Sequence, residues 1–203
     1  MIVAQPGSLT GPATIIALMS LPKDYRDQRC SLARSLEVLG ERWTLLIIRD
    51  ALYGGRRFSD FVEHLAIPRS VLANRLETLV EHGVLAKVSP SDRGYSEYEI
   101  TGKGKQLWPA IRVLMSWGDE HYTAGEPPLS FQHVRDGGQI NADGICTLCN
   151  EPVGLADTLA TPGATLKPRS DKPDAITGAL LQTHRLLEDV RGGAAPVETG
   201  GKP

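Results

Sequence analysis

Hydrophobic positions recur with a helical period along residues 30–82 and again from residue 101, and with a period of two between them, after Gly83. In 58–65, Phe58, Phe61, Val62 and Leu65 share one helical face, and Ser59 is the expected N-cap. Ala66-Ile67-Pro68 interrupts the pattern, because proline disfavours the helical region at the residue before it while fitting the first turn of a new helix. The second helix is predicted over 68–82. Its Leu72, Leu76 and Leu79 form a buried stripe, and Gly83 is its stop. Beyond it Val84, Ala86 and Val88 alternate with Leu85 and Lys87, Ser-Pro-Ser-Asp-Arg-Gly turns the chain, and alternation resumes over 95–100.

Helix, tight turn, helix and hairpin within 57–101 is the plan of a winged helix-turn-helix. The flanks extend it. Leu32, Leu36 and Leu39 make 30–40 an amphipathic helix ending at Gly40, and residues 43–48 are apolar nearly all round, the mark of a helix within the core. Trp43 is read as a core residue. After the hairpin a long helix is expected from Thr101 to about His121, bent at Pro109, with Leu107, Ile111, Leu114, Met115, Gly118 and Tyr122 on one stripe. The fold class is therefore mainly α with a small β-hairpin wing, and the flanking helices are expected to dimerise. The organisation is a flexible leader over 1–29, a winged domain over 30–122, a small cysteine-containing ribbon-like module over 129–160, and a mostly disordered, Pro- and Gly-rich tail over 161–203 with one helix in 174–190.

The formal net charge of −2 argues against a generally basic nucleic-acid binder. Its distribution modifies that conclusion, because Arg56, Arg57, Arg69, Arg75, Arg93, Lys103 and Lys105 all fall in or beside the helix-turn-helix and its wing. On the second helix Ser70 and Asn74 lie opposite the leucines, with Arg69 and Arg75 on the flanks. Asn pairs bidentately with adenine and Arg with guanine in the major groove. The candidate DNA-binding residues are Arg57, Ser59, Arg69, Ser70, Asn74, Arg75 and, at the wing, Arg93, Tyr95 and Ser96. Each is also an ordinary solvated residue when taken alone; their joint placement is the signal.

Three cysteines with no secretory leader point to a reducing, cytoplasmic setting, and the apolar stretch 13–21 is too short for a membrane span. No Gly-x-Ser-x-Gly, His-Glu-x-x-His, phosphate loop or Gly-x-Gly-x-x-Gly occurs, so neither an enzyme nor a cofactor is expected.

The ordered segments 30–43 (CSLARSLEVLGERW), 45–49, 57–61, 67–76 (IPRSVLANRL), 79–83, 98–104 and Trp117-Gly118 resemble the HxlR family of bacterial winged helix-turn-helix regulators, allied to MarR-type proteins. The resemblance covers 30–122. It implies a homodimer that reads a two-half-site operator in double-stranded DNA and represses or activates nearby genes. It also implies that Cys30, just before the first helix, is a candidate redox or electrophile sensor, with an oxidant or other small molecule as effector. A helix N-terminus favours the thiolate. Simple packing is the competing reading of Cys30. A winged-helix interaction module without DNA binding is the alternative function.

Cys146-x-x-Cys149 has zinc-knuckle spacing, with His133 upstream and Asp136 where longer relatives carry a further cysteine. A zinc site, a metal-free ribbon and a redox pair all remain open for these four residues, and no metal is assigned.

Overall fold

Leu72, Leu76 and Leu79 are all wholly buried, as their spacing requires, and the helix that carries them is the centre of the fold. In the computed structural model, residue 25 and residues 28–89 and 94–192 are described. The described residues up to Gly40 and those from Glu41 onward form two compact units. The first contains α1 (Ser31–Leu39), capped at its C-terminus by Gly40. Ala33 is buried, whereas Leu32 and Leu36 are exposed. Arg34 and the backbone N–H of Tyr25 both donate to the Glu37 carboxylate, at 2.9 and 3.1 Å.

The second unit begins with α2 (Thr44–Leu52), whose N-cap is Trp43. Trp43 is half-buried at the N-cap with φ +80°, a left-handed conformation unusual for a bulky side chain. Then come α3 (Phe58–Leu65), α4 (Arg69–Glu81) and the antiparallel hairpin β1 (Leu85–Val88) and β2 (Glu97–Ile100), with Leu85 opposite Ile100 and Lys87 opposite Tyr98. Ala66, in the left-handed region at φ 51°, closes α3 and aims the chain into Pro68, the N-cap of α4. Gly83, at φ +66°, ends α4 as expected.

Two local expectations are corrected. Ser59 is not the cap of α3: it is the second residue of that helix. The wholly buried Asp60 caps instead, its Oδ2 accepting from the backbone N–H of Arg57 at 2.8 Å and of Arg56 at 3.1 Å. A carboxylate at the third position satisfies free N–H groups and complements the helix dipole, which a hydroxyl does less well. Pro109 does not bend a long helix. The chain forms a short α5 (Gly102–Lys105), capped by the Thr101 hydroxyl, and then a separate α6 (Trp108–Tyr122) with Pro109 in its first turn, where a missing N–H costs nothing. On α6 Trp108, Ile111 and Arg112 face inward. Leu114 and Tyr122, expected on the same stripe as Ile111, face outward with Val113 and Trp117.

The larger correction concerns the tail. Residues 161–192, expected to be mobile, are folded. Strand β4 (Thr158–Pro162) lies between β3 (Leu129–His133) and β5 (His184–Arg185) in an antiparallel sheet, and only α7 (Ala175–Leu180) forms in the stretch 174–190. α7 packs on α3 with Ile176 wholly buried and Leu180 nearly so. The chain then runs along the end of α2: His184 Nε2 lies 2.7 Å from the Tyr53 carbonyl, and Leu187 N–H donates to the Leu52 carbonyl at 2.9 Å. A Cβ on Gly54, itself at φ +95°, would collide with the Glu188 carbonyl oxygen, so this approach requires glycine. The isolated hydrophobics of a Pro- and Gly-rich segment are thus anchors for the helix-turn-helix.

The ribbon is tied in from the other side. Arg112 donates to the Ile140 carbonyl at 3.1 Å and stacks on Phe131 with its guanidinium 4.1 Å from the ring centroid, while Trp108 meets Phe131 edge-on at 5.3 Å. Burial pushes the Tyr53 phenol up to about 12, which keeps it neutral where its hydroxyl faces Met115.

Candidate nucleic-acid interface

The outward face of α4 is built by exclusion: the leucine stripe turns inward, and Arg69, Ser70, Ala73, Asn74 and Glu77 are left exposed. These are the side chains that a major groove admits, with Arg69, Ser70 and Asn74 in the N-terminal half and the acidic Glu77 and Glu81 toward the other end. The N-terminus of α4 carries no side-chain cap, because its N-cap is Pro68. Its first-turn N–H groups therefore remain available to a phosphate oxygen. This is a donor set that the side-chain pattern alone did not reveal, although proline at the cap was a legible signal for it.

Around this face the expected residues divide. Arg69 lies with its guanidinium 5.9 Å from the Phe58 ring centroid and stays exposed. Asn74 keeps its side chain outward while its carbonyl accepts from the Thr78 hydroxyl. Arg75 turns away: it donates to Glu41 at 2.9 Å, and its Nε is buried without a hydrogen-bond partner. Ser59 is half-buried 3.5 Å from Arg191.

At the wing, Arg57 stacks on Tyr95 with 4.7 Å to the ring centroid, and its Nε lies 3.7 Å from Glu97. It braces the turn end of the hairpin, where Glu97 pairs with Val88, against the start of α3. Tyr95 remains exposed, and the Ser96 hydroxyl pairs with that of Ser89 at 3.3 Å. Arg93 lies outside the described residues. Lys87, not singled out from the sequence, is exposed on β1 between the half-buried Ala86 and Val88; its charge beside the predicted wing was the available signal. Lys103 donates to the His82 carbonyl at 2.7 Å and neutralises the C-terminal end of α4.

Two further groups are located. Cys30 is an exposed free thiol at the N-cap of α1. His133, Asp136, Cys146 and Cys149 come together, their ligand atoms all within 4.8 Å of one another. Among the described residues, no helix is long and apolar enough to cross a membrane.

Comparison with known proteins bears directly on this arrangement. An uncharacterized HTH-type transcriptional regulator of Mycobacterium tuberculosis is 42% identical over 145 residues, covering 70% of this chain and 92% of the relative. The HxlR-like helix-turn-helix description matches residues 38–126. The chain belongs to the HxlR-like helix-turn-helix family.

The match spans α2 to α6, including the whole exposed face of α4. The HTH-type transcriptional regulator YodB of Bacillus subtilis is 29% identical over 94 residues, 45% of this chain and 84% of that protein. The crystal structure of PA1607, described as a candidate transcription factor, superposes with a TM-score of 0.53 at 32% identity, over 65% of this chain and 94% of that one. The winged helix-turn-helix fold is thus that of this family of transcriptional regulators. An alignment covering 70% of a 203-residue chain necessarily runs past the wing into the segment after residue 129, so the similarity to the mycobacterial relative is not confined to the HxlR-like core.

Proposed function

We propose that this HxlR-like protein is a transcriptional regulator that binds double-stranded operator DNA as a homodimer, inserting α4 in the major groove and laying the hairpin wing against the flanking backbone. The observation that carries the reading is the exposed N-terminal half of α4. Arg69, Ser70 and Asn74 stand there beside an uncapped helix N-terminus, with Lys87 and Tyr95 exposed on the adjoining wing. Base-edge contacts would come from Asn74 and Arg69, and phosphate contacts from the α4 N–H groups, Ser70 and the wing. Arg57 acts mainly as a brace for Tyr95. Arg75 reaches DNA only by giving up Glu41.

A dimer is supported by the exposed row Val113, Leu114 and Trp117 on α6 and, separately, by the exposed Leu32 and Leu36 on α1. Apolar side chains at such spacing cost solubility unless covered, and a two-fold axis joins two modest half-site contacts, about one helical turn apart, whose binding free energies add. Cys30 is proposed as the responsive thiol, since it is exposed, unpaired with another cysteine, and set at the N-terminus of α1. A protein-interaction role without DNA is the second reading, favoured by the net charge of −2. Footprinting on the DNA beside the gene separates the two: protection by the wild type that Asn74→Ala weakens supports the regulator, and no protection supports the interaction module.

A further inference from the structure

The strand β3 ends at His133, and the chain turns at once through Asp136 and Gly137 before pairing back, with Gly138 accepting from the His133 N–H at 2.8 Å. A second hairpin follows, in which Ile140 bridges Cys146 and Ile145 bridges Pro152. Its tip is the Cys146-Thr-Leu-Cys149 turn, closed by Asn150 at φ +57° and by the Leu148 N–H donating to Cys146 Sγ at 3.4 Å. Two separate turns thus face each other through four chemically distinctive side chains.

Their contacts form a chain: Cys149 Sγ to His133 Nδ1 at 3.5 Å, His133 Nδ1 to Asp136 Oδ2 at 3.2 Å, and Asp136 Oδ1 to Cys146 Sγ at 3.2 Å. A tetrahedral zinc ion with Zn–S of about 2.3 Å and Zn–N or Zn–O of about 2.0–2.1 Å sets sulfur-to-nitrogen and sulfur-to-oxygen edges of roughly 3.5 Å and nitrogen-to-oxygen edges slightly shorter. The three contacts, at 3.5, 3.2 and 3.2 Å, are close to such edges, the two from Asp136 being made by different oxygens of its carboxylate, and with all four ligand atoms within 4.8 Å of one another a small side-chain adjustment brings the set onto one ion. We propose that His133 Nδ1, Asp136, Cys146 and Cys149 bind one structural zinc ion. Two thiolates, an imidazole and a carboxylate favour zinc over the hard cations, and four protein ligands leave no open position for catalysis.

The site is closed on one side, by Cys146 and His133, and reaches solvent at Asp136 and Cys149. Cys146 is wholly buried and His133 nearly so, and a Cβ on Gly138 would strike Cys146 Sγ, so glycine is what lets the first turn approach the second. The Asp136 oxygen, standing where a third cysteine would be more usual, is oriented by the Gly138 N–H at 2.9 Å, as an outer-shell donor orients a ligand. The proposal is independent of DNA binding. Zinc here would pin the end of β3 to the hairpin that Arg112 holds against α6.

The test is metal analysis of the full chain, purified untagged and without chelator, together with exchange into cobalt. The expected result is one zinc per chain and, in the cobalt form, the intense visible bands of a tetrahedral site with thiolate charge transfer. Cys146→Ser with Cys149→Ser should abolish both. Asp136→Cys provides a second arm that does not depend on the double variant folding: it should keep one zinc and release it to a chelator at least about tenfold more slowly, as expected of a Cys3His set. Metal-free wild type that takes up no added zinc, a Cys146–Cys149 disulfide in the freshly purified chain, or full zinc retained by the double serine variant would each overturn the assignment.

Discussion

Arg191 closes on Asp60: its Nη2 and Nε lie 2.6 and 2.7 Å from Asp60 Oδ1, while Oδ2 of the same carboxylate caps the start of α3. One buried acid therefore both starts the first helix of the helix-turn-helix and receives the end of the folded tail. Asp60 is wholly buried, so its charge requires both sets of partners. Arg191→Ala should cost about 1–2 kcal/mol, because solvent reaches the arginine and replaces part of the pair. Asp60→Ala should cost about 3 kcal/mol or more, since it also uncaps α3 and strands two N–H groups. Urea unfolding of the two variants measures both. Equal and negligible effects would show that the tail does not support the helix-turn-helix.

Acid should act on a second tie between the same parts. Burial raises the Asp174 pKa, but the Thr177 hydroxyl and N–H, at 2.6 and 3.0 Å, and His64 Nδ1, at 3.2 Å, outweigh it and hold the carboxyl below its ordinary value. A folded pKa below the unfolded one, about 3.9, contributes stability that is present above that value and lost as pH falls through the folded pKa. Asp174→Asn should therefore lower Tm near neutral pH, and its deficit should shrink as the pH drops below about 4. A deficit constant with pH would mean that the charge of Asp174 is not what matters.

Much of this was readable in the chain. Leu72, Leu76 and Leu79 are spaced for burial and are buried; Gly83 stops α4; the change of period after it gives the hairpin. These signals are local. Asp60 was harder, because Phe58-Ser-Asp offers two capping residues one position apart, and only the geometry of the turn at Arg57 selects between them. The tail was illegible for another reason: Ile176, Leu180 and Leu186 sit among prolines and glycines with no period, and part of what this segment packs on lies more than a hundred residues upstream, α3 for α7 and the Leu52 carbonyl for Leu187. Among the interface candidates, Ser70 and Asn74 were legible as an exposed face, whereas the turning of Arg75 onto Glu41 depends on a contact between separate elements.

The exposed row on α6 should respond to charge. Trp117, about half exposed, makes an edge contact with His121 at 5.2 Å and lies beside Tyr122. Trp117→Glu should convert a dimer to monomer in light scattering after size-exclusion chromatography, with little change in Tm measured on the dilute protein. A wild type that is monomeric throughout would remove this face from the account.

Oxidation should read out on Cys30. Diamide is expected to change operator binding of the wild type, and Cys30→Ser is expected to bind as the reduced protein does with or without oxidant. If diamide acts equally on Cys30→Ser, the responsive thiol is Cys146 or Cys149, and zinc release would accompany it.

The most direct test of DNA recognition by α4 is binding of the purified chain to the intergenic DNA beside its own gene, titrated at several salt concentrations for wild type, Asn74→Ala and Arg69→Ala. Saturable binding is predicted, with log K falling linearly as log salt rises. Asn74→Ala should lose about 1–3 kcal/mol with little change in that slope if it reads a base. Binding that is absent, independent of salt, or unaltered by both substitutions would contradict the account.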